Sequence, residues 1–178
     1  LAISRFYPQT RCAIELGGQD AKMIFFRTND KGDIEVADMR MNGSCAGGTG
    51  AFIDEMAKLM GVGTESGEFE QLASRGTIVH EVSGRCGVYA KTDIQPLLNE
   101  GIPTTDLAFS ALHAVARQTI GGLAQGIDIE PPVIFEGGTL AYNPTLVRVF
   151  REQLNLSDDQ VIVPRDPQIM VARGAALS

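Results

Sequence analysis

The glycine-rich run at residues 41–52, MNGSCAGGTGAF, sets narrow limits on the local structure that this chain can form. Glycines let the backbone approach a ligand closely and adopt positive φ, and the apolar spacing after Gly50 is that of an amphipathic helix. The N–H groups and positive dipole end of a helix attract anions, and they favour a thiolate at Cys45. A helix entry that needs only a flexible backbone is the alternative. We favour a phosphate-binding loop, because a cysteine and further glycine loops accompany the run.

The charge and hydropathy of the chain argue against nucleic acid and membrane partners. The 178 residues are 44% hydrophobic and 21% charged, which is typical of one compact domain. A net charge of −7 offers no basic surface, and no apolar run approaches membrane-spanning length.

The three cysteines, Cys12, Cys45 and Cys86, do not form an even set of disulfides, and no secretory leader is evident, so we expect a cytoplasmic protein. Because the sequence begins at Leu1, we expect it to be a piece of a longer chain.

Hydrophobic periodicity predicts strands first and then helices and strands in alternation. Strands are expected at 12–16, 22–27, 34–39, 78–82, 133–135 and 161–163, with a hairpin turn at 29–32. Helices are expected after Gly50, from Thr92 to Gly101, from Thr104, from Pro144 and over 169–177. In the second of these helices, Pro96 is expected in the first turn. The helix that begins at Pro144 is expected to bury a stripe of Val147, Phe150 and Leu154. The glycine-rich twenty residues after Gly61 are expected to be irregular.

This order of elements predicts a mixed α/β domain. Three antiparallel strands lie side by side, further strands alternate with helices, and the sheet is covered by helices. The glycine loops that follow the strands are expected at one edge of the sheet, where α/β proteins bind their ligands.

The order of the short motifs resembles the second half of the actin, Hsp70 and sugar-kinase ATPase fold, a ribonuclease H-like mixed sheet with helices on both faces. The motifs are ELGGQD at 15–20, GTG at 48–50, and Gly137-Gly138 followed by Asn143. The cysteine motifs MNGSCAGGTGAF and RCGVYAKTDI, with VARGAAL near the end, look like the ATP-dependent activators of 2-hydroxyacyl-CoA dehydratases and the ATPase subunits of benzoyl-CoA reductase. The resemblance extends from Ile14 to Leu177.

The resemblance also implies that residues 1–178 are one domain, the C-terminal half of a two-domain activase-type ATPase. Members of that family begin with a D-x-G-S-T phosphate loop in a preceding domain, and this sequence has no such loop. The isolated chain is therefore expected to be inactive as an ATPase.

The resemblance implies a set of functional residues. The family's ATP or ADP and Mg²⁺ positions fall on Glu15, Gly17, Gly18, Gly48, Thr49, Gly50, Gly137 and Gly138, and the positions around metal-bound water fall on Gln19 and Asp20. In the family, two cysteines from each subunit of a homodimer hold one 4Fe-4S cluster, and the matching residues are Cys45 and Cys86.

Other reactive residues receive simpler interpretations. Cys12, next to apolar strand residues, is expected in the core, and His80 and His113 are assigned no role. Arg85 and Lys91 flank the second cysteine, where they either offset the charge of a cluster or are ordinary surface residues.

The implied function is ATP-driven electron transfer to a partner, an acyl-CoA dehydratase or reductase, from a donor such as ferredoxin or flavodoxin. Two other hypotheses remain open at the level of sequence. One is a sugar-kinase-like phosphotransferase, which shares the glycine loops but needs no paired cysteines. The other is a non-catalytic assembly domain of a long chain.

Overall fold

The computed structural model describes residues 1–42 and 47–178. At its centre is a five-stranded mixed sheet in the order β3-β2-β1-β4-β5. The strands are β1 (Cys12–Leu16), β2 (Ala21–Thr28), β3 (Ile34–Met41), β4 (Val133–Glu136) and β5 (Val161–Ile162). β1, β2 and β3 form an antiparallel meander, and β4 and β5 continue the sheet parallel to β1. The predicted antiparallel strands, their turn and the later mixed sheet are confirmed.

Side-chain alternation along the central strands creates two hydrophobic layers. On one face, Ile14 of β1 and Phe135 of β4 join the larger core, whereas Ala13 and Ile134 point into a smaller core on the other face. This period of two is the expected pattern for strands covered on both sides.

Helices cover both faces of the sheet. The α-helices are α1 (Ala2–Phe6), α2 (Gly50–Met60), α3 (Glu68–Ala73), α4 (Gly87–Asn99), α5 (Thr104–Thr119), α6 (Gly138–Tyr142), α7 (Pro144–Gln153) and α8 (Met170–Ala176). α1 and α8 supply Ile3 and Met170 to the smaller core, and the longer helices pack on the opposite face. A π-helical turn at Ile120–Ala124 follows α5, and 3₁₀ turns lie at Asp158–Gln160 and Pro167–Ile169.

Three predicted helices begin or end where the sequence signals place them. α2 ends at Gly61, which adopts the left-handed conformation, and α7 begins with Pro144 at its first turn. α5 begins at Thr104 as expected, but the glycine pair at 121–122 falls in the π-helical turn beyond its end. Within the described ranges, no helix is both long and apolar enough to span a membrane.

The predicted strand at 78–82 is wrong. The segment makes no ladder, because side chains of α5 satisfy its backbone. Asp106 accepts hydrogen bonds from the N–H groups of Thr77 (2.8 Å) and Ile78 (3.2 Å), and Ser110 accepts one from His80 (2.8 Å). Tertiary contacts thus replace strand pairing in this stretch.

The predicted position of Pro96 is also wrong, because α4 begins at Gly87 and Pro96 lies near its end. Ala90 and Ile94 are fully buried where α4 packs against α2 and α5. Burial of an isoleucine side chain contributes roughly 1.5–3 kcal/mol, which offsets much of the cost of an interior proline, about 3 kcal/mol.

Two smaller expectations are corrected as well. The stretch after Gly61 contains the short helix α3, whose Phe69 is buried. On α7, Leu146, Val149 and Phe150 are buried, whereas Val147 and Leu154 are only partly buried.

Candidate functional site

The carboxyl ends of β1 and β4 lie side by side, because the two strands pair in parallel with Glu15 opposite Glu136. The glycine pairs at 17–18 and 137–138 leave the sheet at this edge. β3 runs in the same direction as β1, so the chain reaches residues 47–50 from the same edge. The prediction that the glycine loops share one edge of the sheet is confirmed.

Hydrogen bonds join these loops directly. The N–H of Gly50 donates to the carbonyl of Gly17 (3.0 Å), and the N–H of Ala51 donates to that of Gly18 (2.7 Å). The hydroxyl of Thr139, in the first turn of α6, donates to the Gly17 carbonyl (2.8 Å). The sequence predicts that the first N–H groups of α2 are free to meet an anion, whereas two of them hold the neighbouring loop in place.

The predicted binding residues differ in their access to solvent. Gly18, Gln19 and Asp20 are exposed at the rim of the edge, whereas Gly48 and Thr49 are buried. Gly48 has a φ of +78°, and a Cβ there would lie 2.9 Å from the Thr119 hydroxyl oxygen.

A cleft of about 600 Å³ opens beside the joined loops. Such a volume falls within the range of about 300–1,000 Å³ that is typical of small-molecule sites. Its lining includes Gly18, Gly50 and Gly138. Glu70 and Tyr142 also line it, and Tyr142 is 71% exposed. The cleft therefore combines glycine backbone with an aromatic side chain and an acidic residue.

Glu70 is anchored to the start of α7. One of its carboxylate oxygens accepts hydrogen bonds from the Thr145 N–H (3.0 Å) and hydroxyl (2.5 Å). Its second oxygen, Oε2, is buried without a partner, and burial raises the pKa of Glu70 above its ordinary value. This contact fixes α3 against α7 beside the cleft.

Two carboxylates and a lysine lie together at the strand ends. Lys22 Nζ lies 2.9 Å from Glu15 Oε2. Burial, reinforced by the charge of Glu15, raises the pKa of Glu136 to about 7. Residues of alternate parity share one face of the sheet, so all three side chains lie on the face that α1 and α8 cover.

The three cysteines have different environments. Cys12 is fully buried in the core as predicted, and burial raises the pKa of its thiol to about 12. Cys86 is partly exposed at the N-cap of α4. Cys45 lies outside the described residues. Those residues contain no group of three or more His, Cys, Asp or Glu side chains that could hold a metal ion.

The loop that bears Cys86 packs tightly against the glycine run. A Cβ on Gly47 would overlap the Arg85 carbonyl oxygen and lie 2.7 Å from that of Gly84. The loop is fixed on its other side by Asp93, which accepts a hydrogen bond from the Ser83 N–H (2.8 Å), and by Arg117, which donates to the Val82 carbonyl (3.2 Å). The segment before Cys86 is therefore held by side chains of α4 and α5.

Sequence reasoning missed four residues of this region: Glu70, Glu136, Thr139 and Tyr142. Glu136 carried a detectable signal, because it ends a strand directly before a glycine pair, much as Glu15 comes just before another. The other three lie in or beside short helices whose positions depend on tertiary contacts.

Comparisons with known proteins agree with this geometry. The activator of lactoyl-CoA dehydratase from Anaerotignum propionicum is 34% identical over 170 residues, which are 96% of this chain and 61% of that protein. The solved structure of the activator of 2-hydroxyisocaproyl-CoA dehydratase from Clostridium difficile, with bound ADPNP, is 31% identical with a TM-score of 0.83, and the match covers 99% of this chain and 62% of that one.

Component A of the (R)-2-hydroxyglutaryl-CoA dehydratase from Acidaminococcus fermentans has a TM-score of 0.84 at 29% identity, with 99% of this chain and 63% of that chain covered. This chain thus spans about three-fifths of the length of the relatives it matches. Solved structures of lower identity share the fold, which is that of the actin-like and Hsp70-like ATPases. A family model matches residues 1–178 in full, and the chain belongs to the BadF/BadG/BcrA/BcrD ATPase family.

Proposed function

We propose that this chain is the nucleotide-binding C-terminal half of an ATP-driven activator that passes electrons to an acyl-CoA dehydratase or reductase. The observation that carries the proposal is the convergence of three glycine loops, joined by hydrogen bonds, beside a cleft of about 600 Å³. Glycine loops at the carboxyl edge of a sheet are a common way to hold phosphates.

The roles follow the position of each residue at the edge. Gly18, Gly50 and Gly138 line the cleft and bring the backbone close to the nucleotide, and Gly17 and Gly137 shape the loops. Gly48 and Thr49 support the loop from within, since both are buried. Gln19 and Asp20, exposed at the rim, orient the attacking water, and Glu15 holds the Mg²⁺ that accompanies the phosphates.

We propose that a preceding domain supplies the other wall of the nucleotide site. Relatives are longer than this chain by about two-fifths of their length, and the sequence carries no D-x-G-S-T loop. The isolated chain then binds ATP or ADP weakly, and hydrolysis requires the full-length protein.

Cys45 and Cys86 are the proposed ligands of a 4Fe-4S cluster that is shared across a homodimer. Cys86 fits this role, because its partly exposed thiol lies at the N-cap of α4, where a ligand can reach it. Cys12 does not fit, because its thiol is buried and keeps its proton. A 4Fe-4S cluster needs four cysteine ligands, and one chain offers two. Two chains must therefore contribute. When bound, the cluster serves as a one-electron carrier.

The proposed partners are an acyl-CoA dehydratase or reductase that accepts the electron and a ferredoxin or flavodoxin that donates it. The relatives support the first of these, since they are activators or components of such dehydratases.

The test combines nucleotide binding with iron analysis. Calorimetric titration with Mg-ATP is expected to give weak binding to the isolated chain and tighter binding to the full-length protein. Anaerobically purified full-length protein is expected to contain iron and sulfide in equal amounts and to be a dimer by light scattering. Sugar-stimulated ADP release without iron would favour the phosphotransferase, and the absence of both signals would favour an assembly domain.

A further inference from the structure

We infer that Tyr142 is a base-stacking residue of the nucleotide site, whose ring packs against the purine base of bound ATP or ADP. The inference rests on the proposed function of the cleft and adds a residue that the sequence motifs did not select. It follows from the position of Tyr142 on α6, the exposure of its ring and the charge of the cleft lining.

The position of Tyr142 places it one helical turn from a proposed phosphate contact. Gly138 and Tyr142 are the first and last residues of α6, and both line the cleft. Residues four apart share one face of a helix, and they are separated by about 6 Å along its axis. A nucleotide that meets the backbone at Gly138 therefore extends past the ring of Tyr142.

The ring of Tyr142 is uncovered although it belongs to the cleft. The residue is largely exposed, and among the described residues no aromatic ring and no guanidinium packs on it. Ile53 and Phe69, which are almost fully buried, also line the cleft. An open aromatic face beside apolar side chains is a favourable platform for a planar, uncharged ring system.

The charge of the lining decides which part of a nucleotide lies beside Tyr142. The lining includes Asp54, Glu65 and Glu70, and no lysine or arginine among the described residues. Glu70 is held near this part of the chain, because its carboxylate accepts hydrogen bonds from Thr145 at the start of α7. Carboxylates repel phosphates, but they accept hydrogen bonds from sugar hydroxyls. The phosphates are therefore expected at the glycine loops and the uncharged base at Tyr142.

The experiment compares ligands with and without a base. Full-length protein is titrated by calorimetry with Mg-ADP and, separately, with Mg-pyrophosphate, which has phosphates but no base. Tyr142→Ala removes the ring, and Tyr142→Phe keeps it. Tyr89→Ala is the matched control, because Tyr89 is a similarly exposed tyrosine on α4 and is not part of the cleft lining.

We expect Tyr142→Ala to weaken ADP binding by about tenfold, which is the effect of losing one stack between a base and an aromatic ring. Tyr142→Phe and Tyr89→Ala should bind ADP like the unmodified protein. Pyrophosphate should bind equally to the unmodified protein and every variant, since it has no base to stack. A purine offers more ring surface than a pyrimidine, so the preference for ADP over CDP should shrink in Tyr142→Ala.

The outcomes separate this inference from the function on which it rests. Unchanged ADP affinity in Tyr142→Ala, or an equal loss of ADP and pyrophosphate affinity, would overturn the stacking role. A loss of ADP affinity in Tyr142→Phe would assign the effect to the hydroxyl and would overturn it as well. If the unmodified full-length protein binds neither ADP nor pyrophosphate, the proposed function itself fails.

Circular dichroism checks that each variant is folded, and the exposure of Tyr142 leads us to expect an unchanged Tm. If Tyr142→Ala does not fold, Tyr142→Leu takes its place. Leucine keeps an apolar side chain without an aromatic face, and ADP affinity equal to that of the unmodified protein would again refute the role.

Discussion

The two adjacent glycines at the end of β4 are expected to respond in opposite ways to the same substitution. Gly137 has a φ of +98°, and a Cβ there would overlap the carbonyl oxygen of Leu16 and lie 2.8 Å from its carbonyl carbon. Gly138 has no neighbouring atom within 4 Å of its Cβ position, and it lines the cleft. Gly137→Ala should therefore damage the fold, and Gly138→Ala should damage the site.

The structure sets the size of the effect at Gly137. A backbone conformation that only glycine adopts easily costs alanine about 1–3 kcal/mol. Forcing a methyl group against a packed backbone adds about 1–3 kcal/mol. The central value of the sum is about 4 kcal/mol, and a chain of this length loses about 3 °C of Tm for each kcal/mol, so Tm should fall by about 12 °C.

Gly138→Ala places its methyl group in open space at the first position of α6. Alanine is favoured over glycine in helices by up to about 1 kcal/mol, so Tm should rise or change by less than about 3 °C. The methyl group projects where a nucleotide would meet the backbone, and ADP affinity should fall by about tenfold, which is about 1.4 kcal/mol.

Thermal unfolding of this chain by circular dichroism, and calorimetric titration of the full-length protein with ADP, test the pair of variants. The reasoning about Gly137 is wrong if Gly137→Ala unfolds within about 2 °C of the unmodified protein, which corresponds to less than about 1 kcal/mol. The reasoning about Gly138 is wrong if Gly138→Ala binds ADP with unchanged affinity.

Three further predictions concern the fold and the site. Hydrogen bonds from two backbone N–H groups hold the pKa of Asp106 below its ordinary value near 3.8, so its contribution to stability is present at neutral pH and is lost as pH falls through the lowered pKa. Asp106→Asn should lower Tm at pH 7, and the difference should shrink in acid. Asp20→Asn in the full-length protein should reduce ATP hydrolysis far more than nucleotide affinity, and equal turnover would assign Asp20 a structural role. Cys45→Ser or Cys86→Ser should abolish the iron content of anaerobic protein, whereas Cys12→Ser should retain it.

Local patterns in the sequence were sufficient to predict the antiparallel part of the sheet. β1, β2 and β3 are neighbours in the chain, the apolar run of β1 marks it as buried, and the turn at 29–32 has hairpin composition. Pro144 and Gly61 marked helix ends because each acts through its own backbone. Each of these signals depends only on residues that are close together in the sequence. They could therefore be detected without knowledge of the rest of the fold.

Features that depend on distant contacts could not be predicted in the same way. Ile78 and Val79 are apolar enough for a strand, but both are exposed, and the segment takes its hydrogen bonds from α5. α4 begins at Gly87, directly after Cys86, whose side chain makes no capping hydrogen bond. No sequence signal therefore marks the start of this helix. The register that sets Glu15 beside Glu136 joins residues far apart in sequence.

Helix α2 connects the two proposed centres by direct contact. Its first residues, Gly50 and Ala51, donate hydrogen bonds to the carbonyls of the glycine loop at 17–18. Farther along the same helix, the carboxylate of Glu55 occupies the space beside Gly87, the first residue of α4 after Cys86. The two contacts are roughly 6–7.5 Å apart along the axis, given a rise of about 1.5 Å per residue. Phe52 and Met56 are buried, so the same helix is packed into the core between these two contacts. One helix thus touches both the loop at 17–18 and the first turn of α4, which is the kind of connection that the proposed ATP-driven electron transfer would require.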